Sequence, residues 1–135
     1  MGIYSHNFEA SLLNSTTSSI LFVDDDDELR EIVRMQLSEA GYEVDEAVDG
    51  LVALEKLQQR PYDLVLLDIT MPGKTGMDVL SFVKEQSMKC HVIMLTGVVG
   101  LSMAIDSLNL GADDYITKPY NMDYLLSSIK RVLNE

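Results

Sequence analysis

The feature that most limits the fold of this chain is a repeated exchange, from Ile20 onward, between short apolar runs and longer amphipathic segments. The runs have the length and composition of buried strands, and they predict five strands, at 20–23, 42–48, 63–69, 91–97 and 114–118. Helical spacing between the runs predicts five helices, at 26–40, 50–60, 76–86, 101–110 and 122–133. Strict alternation of strand and helix indicates an α/β fold, a doubly wound parallel sheet with right-handed crossovers.

The helices have sequence signals for their ends and for their buried faces. Gly41 should end the first helix, Pro61 should prevent the second from continuing, and Asn121 is a suitable N-cap for the last. The spacing of apolar residues predicts core-facing stripes on three helices, at Leu29, Ile32, Val33 and Leu37, at Leu51, Leu54 and Leu57, and at Leu101, Ile105 and Leu108. On the fourth helix, Met103 and Leu110 should then face away from the core.

Length and charge exclude several classes of protein. The 135 residues suit one domain, with residues 1–19 as a flexible N-terminal tail or expression remnant and residues 20–135 as the folded unit. A formal net charge of −12 opposes direct contact with nucleic acid. No apolar run reaches the roughly 20 residues needed to cross a membrane, and no secretory signal is evident, so we expect a cytoplasmic protein. Cys90, the single cysteine, is interpreted as a packing residue.

Polar residues stand where four of the predicted strands end. Asp24 and Asp25 follow the first strand, Asp68 lies in the third, Thr96 follows the fourth and Lys118 follows the fifth. Because parallel strands end at the same edge of a sheet, where doubly wound proteins bind ligands, these side chains should converge. The neighbouring acids, Asp26, Asp27 and Glu28, are better explained as stabilisers of the first helical turn and are left out of the site.

Three carboxylates in one place repel one another unless a cation lies between them. Oxygen ligands favour Mg²⁺, Ca²⁺ or Mn²⁺ over zinc, and a site with few protein ligands suits Mg²⁺, with Mn²⁺ as the alternative. With such an ion present, Lys118 is available for a second anion, for which phosphate is the natural candidate. A carboxylate can then act as a nucleophile toward phosphorus, and Asp68 is the candidate acceptor.

Four segments in order carry a family resemblance: VDDDDELR at 23–30, LLDITMPGKTG at 66–76, MLTG at 94–97 and GADDYITKPY at 111–120. They resemble the receiver domain of bacterial two-component response regulators. The resemblance implies a (βα)₅ flavodoxin-like fold with strand order 2-1-3-4-5. It also implies a signalling switch, which catalyses only its own phosphorylation and dephosphorylation.

The same resemblance implies a role for each site residue. Asp68 would be the phosphoacceptor, with Asp24 and Asp25 as the acidic pair that binds the metal, Asp25 being the direct ligand. The other implied roles are a metal contact from the backbone carbonyl of Thr70, a switch hydroxyl on Thr96, a switch aromatic at Tyr115, a phosphate contact from Lys118, a cis peptide bond before Pro119 and a structural part for Gly97.

The implied phosphoryl donor is a histidine kinase or a phosphotransfer protein. The implied output runs through the face of helix 4, strand 5 and helix 5, toward an effector domain or a downstream protein. A homodimer through this face is an open alternative. It is not indicated by the sequence, because helix 4 lacks the Lys or Arg of the charge pairs that related dimers use. No membrane partner is expected. Thr70 and Val98 stand where the family controls the access of water, and neither would position water well, so we expect unexceptional or slow hydrolysis of the aspartyl phosphate.

Two other classes of protein share part of this pattern. A metal-dependent phosphatase with an aspartate nucleophile would need a second acid two residues after Asp68, where this chain has Thr70. A flavin-binding electron carrier of similar topology would need a loop rich in Ser, Thr or Gly after strand 1, where this chain has aspartates. Continuous turnover of phosphate esters would favour the first alternative, and a yellow purified protein would favour the second.

Overall fold

In the computed structural model, which describes residues 17–69, 75–97 and 101–135, five strands alternate with five helices. The strands are β1 (Ser19–Val23), β2 (Glu43–Ala47), β3 (Leu64–Asp68), β4 (His91–Thr96) and β5 (Asp114–Thr117). The helices are α1 (Asp27–Glu39), α2 (Gly50–Gln59), α3 (Gly76–Glu85), α4 (Leu101–Asn109) and α5 (Met122–Leu133). Every predicted element is present, with bounds that agree with the expectation to within one residue.

The strands form one parallel sheet in the order β2-β1-β3-β4-β5, which confirms the predicted fold. Side chains alternate across the central strands and divide the core in two. Leu21 and Val65 belong to the cluster under α2 and α3, whereas Phe22 and Leu66 belong to the cluster under α1 and α5. Strands covered on both faces are apolar along their length, which is why the first four residues of β3, LVLLD, are aliphatic and only the last, Asp68 at the carboxyl edge, is charged.

Three of the predicted core stripes are partly wrong in their rotation about the helix axis. Ile32 and Leu51 are 53% and 58% exposed, and on α4 Ile105 and Leu108 are 46% and 47% exposed. The side of α4 that faces the core instead carries Met103, which packs against the cluster under α2 and α3. Apolar residues occupy more than one side of these helices, so spacing alone could not decide which side is buried.

A fully buried serine explains how α4 tolerates a polar residue toward the core. Ser107 is 0% exposed, and its hydroxyl donates to the carbonyl of Ala104 at 2.8 Å. This intrahelical bond satisfies the hydroxyl without any partner from the sheet. A polar residue at this position was a further reason for the sequence to indicate the wrong buried side.

The helix ends follow the predicted signals. Gly41, with φ of +102°, follows the C-cap of α1, where a left-handed conformation favours glycine. Asn121 caps α5 by accepting from the amide of Tyr124 at 2.7 Å. Asp26 does the same for α1 through the amide of Leu29, as expected for an acid outside the site. None of the described helices is both long enough and apolar enough to cross a membrane.

Candidate functional site

The carboxyl edge of the sheet brings together the predicted acidic and basic side chains. Asp24 directly follows β1, Asp68 is the last residue of β3, Thr96 ends β4 and Lys118 follows β5. Asp68 lies opposite Leu95 in the β3–β4 pairing, so Thr96 is one position further along the neighbouring strand. The order of the strands, with β1 and β4 on either side of β3, therefore surrounds Asp68 with these groups.

Asp24 is fixed in place before any ligand is considered. It is fully buried, and its Oδ1 accepts from the amide of Asp26 at 2.9 Å. Its own carbonyl accepts from Nη1 of Arg30 at 2.8 Å, and the same guanidinium binds Glu46 on β2 and Asp27 on α1. Arg30 thus connects the first turn of α1 to the ends of β1 and β2, and it holds the backbone at Asp24.

Lys118 lies between two buried carboxylates. Its Nζ donates to Oδ2 of Asp24 at 2.7 Å and to Oδ2 of Asp68 at 3.3 Å. Burial alone would lower the pKa of Lys118, but the bond and charge of Asp24 and the charge of Asp68 outweigh it and raise that pKa. Lys118 is therefore a permanent ammonium at neutral pH, and it partly compensates two carboxylates that are 1% and 5% exposed at the side chain.

Asp25 completes a cluster with a surplus of negative charge. Carboxylate oxygens of Asp24, Asp25 and Asp68 all lie within 4.8 Å of one another, and only Asp25 is exposed to solvent. Among the described residues, three carboxylates against one ammonium favour a further cation, and an all-oxygen donor set suits a hard ion such as Mg²⁺. These residues fit the expected metal, with Asp25 at the side open to solvent.

Thr96 presents a buried hydroxyl beside this cluster. The residue is 0% exposed, and its Oγ1 has no hydrogen-bond partner among the described residues. An unsatisfied buried hydroxyl costs about 1–3 kcal/mol, so it is retained only where something else requires it. Its backbone carbonyl accepts from the amide of Lys118 at 2.6 Å. This bond fixes the backbones of Thr96 and Lys118 next to each other at the carboxyl edge of the sheet.

Tyr115 lies on β5, away from the carboxylates. It is half-buried, opposite Met94 in the β4–β5 pairing, and it packs against the cluster under α2 and α3. Burial raises the pKa of its phenol, so Tyr115 is neutral. It is placed on the face of α4, β5 and α5, with no described contact to Asp68.

The remaining predicted site residues differ in what the structure says of them. The peptide bond between Lys118 and Pro119 is cis, as the resemblance implied. A Cβ added to Gly97 would meet none of the described residues within 4 Å, so that part of the chain gives no steric reason for glycine there. Thr70 and Val98 lie outside the described residues.

Sequence reasoning missed two residues that shape the site. A Cβ added to Gly76 would lie 2.3 Å from the backbone oxygen of Asp68, so only glycine lets α3 begin this close to the acceptor. Tyr120 has a ring packed on the cluster under α1 and α5, and its buried hydroxyl has no partner among the described residues. The glycine in a helix-starting position was a readable signal, whereas the direction of the Tyr120 hydroxyl was not.

Comparison with known proteins agrees with this geometry. Residues 20–130 match the family model of the response regulator receiver domain. The chain is 41% identical over 111 residues to the transcriptional regulatory protein DltR of Streptococcus agalactiae, covering 82% of this chain and 50% of that protein. It is 38% identical over 116 residues to the chemotaxis protein CheY of Bacillus subtilis, covering 85% of this chain and 97% of CheY. The chain thus spans about half the length of DltR but nearly all of CheY.

Solved structures show the same likeness. A CheY-like receiver domain from Methanospirillum hungatei superimposes with a TM-score of 0.84 at 35% identity, over 88% of this chain and 95% of that one. The response regulator TrrA of Thermotoga maritima, solved in complex with Mg²⁺ and BeF, superimposes with a TM-score of 0.76 at 37% identity, over 85% and 98% of the two chains. The chain therefore belongs to the response regulator receiver domain family, the signal-transduction module of two-component systems.

Proposed function

We propose that this domain receives a phosphoryl group on Asp68 from a histidine kinase or a phosphotransfer protein, with Mg²⁺ held by Asp24, Asp25, Asp68 and the backbone carbonyl of Thr70. The observation that carries the proposal is the placement of Lys118 against two buried carboxylates, 2.7 Å from Asp24 and 3.3 Å from Asp68. A relative adds support, because TrrA was solved in complex with Mg²⁺ and BeF.

The chemistry follows from the charges. A carboxylate oxygen of Asp68 forms a bond to phosphorus while the bond from phosphorus to the donor nitrogen breaks and its electron pair stays on the donor imidazole. The ion supplies positive charge for the equatorial oxygens of the phosphoryl group. Lys118 adds a second positive charge, and the unpartnered hydroxyl of Thr96 can donate to one of the same oxygens. The buried site limits competing water.

The proposed output is a two-state shift of the face formed by α4, β5 and α5. Movement of Thr96 toward the phosphoryl group would leave space into which Tyr115 turns. The exposed apolar side chains of α4, Ile105 and Leu108, together with Tyr124 of α5, make this face suitable for a protein partner. An effector domain, a downstream protein or a second copy could read it.

The experiment that tests this function is modification of the purified domain with acetyl phosphate or beryllofluoride in the presence of Mg²⁺. We expect stoichiometric modification of the wild type, read by intact-mass or fluorine NMR measurement, and none for Asp68→Asn. Asp106→Asn, at an exposed position on α4, is the matched control and should be modified like the wild type. Modification of Asp68→Asn at the wild-type level would exclude Asp68 as the acceptor.

The lifetime of the modified state tests the expectation about hydrolysis. We expect slow or unexceptional loss of the phosphoryl group, because Thr70 and Val98 carry no acid or amide to position water. A lifetime of seconds that lengthens when Thr70 is replaced would contradict this expectation. Continuous turnover of phosphate esters would instead support a phosphatase.

A further inference from the structure

The hydroxyl of Tyr120 is a buried polar group for which the resting fold has no use. Its ring packs on the cluster under α1 and α5, where phenylalanine would serve as well. The oxygen is buried and has no hydrogen-bond partner among the described residues. Since burying an unsatisfied hydroxyl destabilises a fold, this group is expected to have a partner in another state of the domain.

Tyr120 lies at the same edge of the sheet as the acidic site, because it follows Lys118 by two residues in the connection from β5 to α5, and its ring packs on the cluster that contains Phe22 of β1. Burial, followed by the charges of Asp24 and Asp68, raises the pKa of Tyr120 to about 12. The phenol therefore keeps its proton at any physiological pH and acts as a hydrogen-bond donor.

Asp24 in turn is the group that stands to lose a donor. Its Oδ1 is held by the amide of Asp26, whereas its Oδ2 depends on Nζ of Lys118 at 2.7 Å. If Lys118 turns to the phosphoryl group, as the proposed function requires, Oδ2 of a carboxylate with 1% side-chain exposure is left without that bond. Metal binding at Asp24 leaves lone pairs on the carboxylate that also need a donor.

We infer that the Tyr120 hydroxyl is a positioning donor for the carboxylate of Asp24, directly or through one water, which engages when Lys118 leaves Asp24. The inference rests on the proposed function, because it assumes that a cation and a phosphoryl group occupy the site. Tyr120 touches neither reacting atom. It keeps the carboxylate of Asp24 oriented toward the metal while Lys118 contacts the phosphoryl group.

Tyr120 and Tyr124 line one surface groove at the connection from β5 to α5, and Tyr124 is 54% exposed. The test compares Tyr120→Phe with Tyr124→Phe, which removes an identical hydroxyl from that groove. The Mg²⁺ dissociation constant is measured by calorimetry, with and without beryllofluoride, and thermal unfolding is followed in EDTA. For Tyr120→Phe we expect an unchanged or higher Tm in EDTA and Mg²⁺ binding that is about tenfold weaker, the usual effect of losing a group that orients a metal ligand. The loss should be greater with beryllofluoride, because Lys118 is then drawn away from Asp24.

Each other outcome counts against the inference in a recognisable way. Equal Mg²⁺ affinity of Tyr120→Phe and wild type would show that the hydroxyl has no part in the site. A lower Tm in EDTA would show that it already has a partner in the resting fold. Equal weakening by Tyr124→Phe would show a general effect of the groove. A wild-type protein that binds no Mg²⁺ would overturn the proposed function itself, and the inference with it.

Discussion

Two polar clusters lie on opposite sides of β1, and they are built on opposite principles. The first, on the edge strand β2, centres on Asp45, whose Oδ2 accepts from the hydroxyl of Tyr62 at 2.6 Å and whose Oδ1 accepts from Nζ of Lys56 at 3.1 Å. The second is the candidate site, where two buried carboxylates share one ammonium and two buried hydroxyls have no partner among the described residues. We call them the Asp45 cluster and the Asp68 site.

The difference separates structural polar groups from functional ones. At the Asp45 cluster burial would raise the pKa of Asp45, but the bonds from Tyr62 and Lys56 outweigh it and lower that pKa, as in a completed network. At the Asp68 site the backbone is kept in place by hydrogen bonds and close packing, and the buried hydroxyls of Thr96 and Tyr120 have no hydrogen-bond partner among the described residues. A network with unused capacity is unfavourable at rest and is available to a ligand.

The largest effect should come from Lys118→Met, which breaks the partial compensation at the Asp68 site. Asp24 would then lose its ion-pair partner while it stays buried, and Asp68 would lose one of its contacts, so we expect a loss of about 3 kcal/mol in the free energy of unfolding in EDTA. Mg²⁺ should restore more stability to this variant than to the wild type, because the ion replaces the missing charge. Urea unfolding in EDTA and in Mg²⁺ measures the free energy of unfolding and its increase on ion binding. An equal increase for the variant and the wild type would contradict the idea that Lys118 compensates the charge of the carboxylates.

The next effect concerns the backbone that holds Asp68. Gly76→Ala would place a methyl group 2.3 Å from the backbone oxygen of Asp68, and we expect a loss of about 2 kcal/mol together with weaker Mg²⁺ binding. Gly97→Ala is the control, since a Cβ there meets none of the residues that the structure describes within 4 Å, and its stability should stay close to wild type. The free energy of unfolding is measured with urea for both variants. A similar loss for both would show that the contact with the backbone oxygen of Asp68 is not the cause of the effect.

A pair of identical substitutions compares the two clusters directly. Tyr62→Phe removes a donor from Asp45, and we expect it to lower the free energy of unfolding by about 1 kcal/mol. Tyr120→Phe removes a hydroxyl that satisfies nothing among the described residues, so the metal-free protein should be as stable as wild type or more so. Chemical unfolding in EDTA measures the free energy of unfolding of both variants. Equal losses of stability would contradict the proposed difference between the two clusters.

The smallest effect is a pH dependence. Because the folded pKa of Asp45 lies below its unfolded value, Asp45 contributes stability that is present above the unfolded pKa of about 3.9 and is lost as pH falls through the folded pKa. Asp45→Asn should therefore be less stable than wild type at pH 7, by about 0.5 kcal/mol at this partly exposed position. The gap should close in acid. A gap that stays constant from pH 7 to pH 3 would point to packing rather than charge.

The order of the elements and most of the candidate site could be predicted from the sequence, because both depend on local and periodic signals. Strand and helix order follows from the exchange of apolar runs and amphipathic segments, and the convergence of Asp24, Asp68, Thr96 and Lys118 follows from the rule that parallel strands end together. The roles of these residues in phosphoryl transfer stay predictions until they are tested.

What the sequence did not reveal depends on contacts between distant segments. The buried side of α4 was predicted wrongly because Ile105 and Leu108 satisfy helical spacing as well as Met103 does, and only packing on the sheet decides between them. The restriction at Gly76 arises from the backbone of β3, and the guanidinium of Arg30 reaches Asp24 by a rotamer that no pattern specifies. Such features are properties of three-dimensional packing, not of periodicity.

The bond between Lys118 and Asp24 has a final consequence for binding equilibria. An ammonium attached to the same chain is a tethered competitor, present at a high effective concentration that does not change with the solution. A cation that needs Asp24 must displace it, so the observed affinity is the intrinsic affinity reduced by the fraction of molecules in which Lys118 is disengaged. The arrival of a second anion that attracts Lys118 removes this competition, so the two ligands should bind cooperatively without any movement of a distant element.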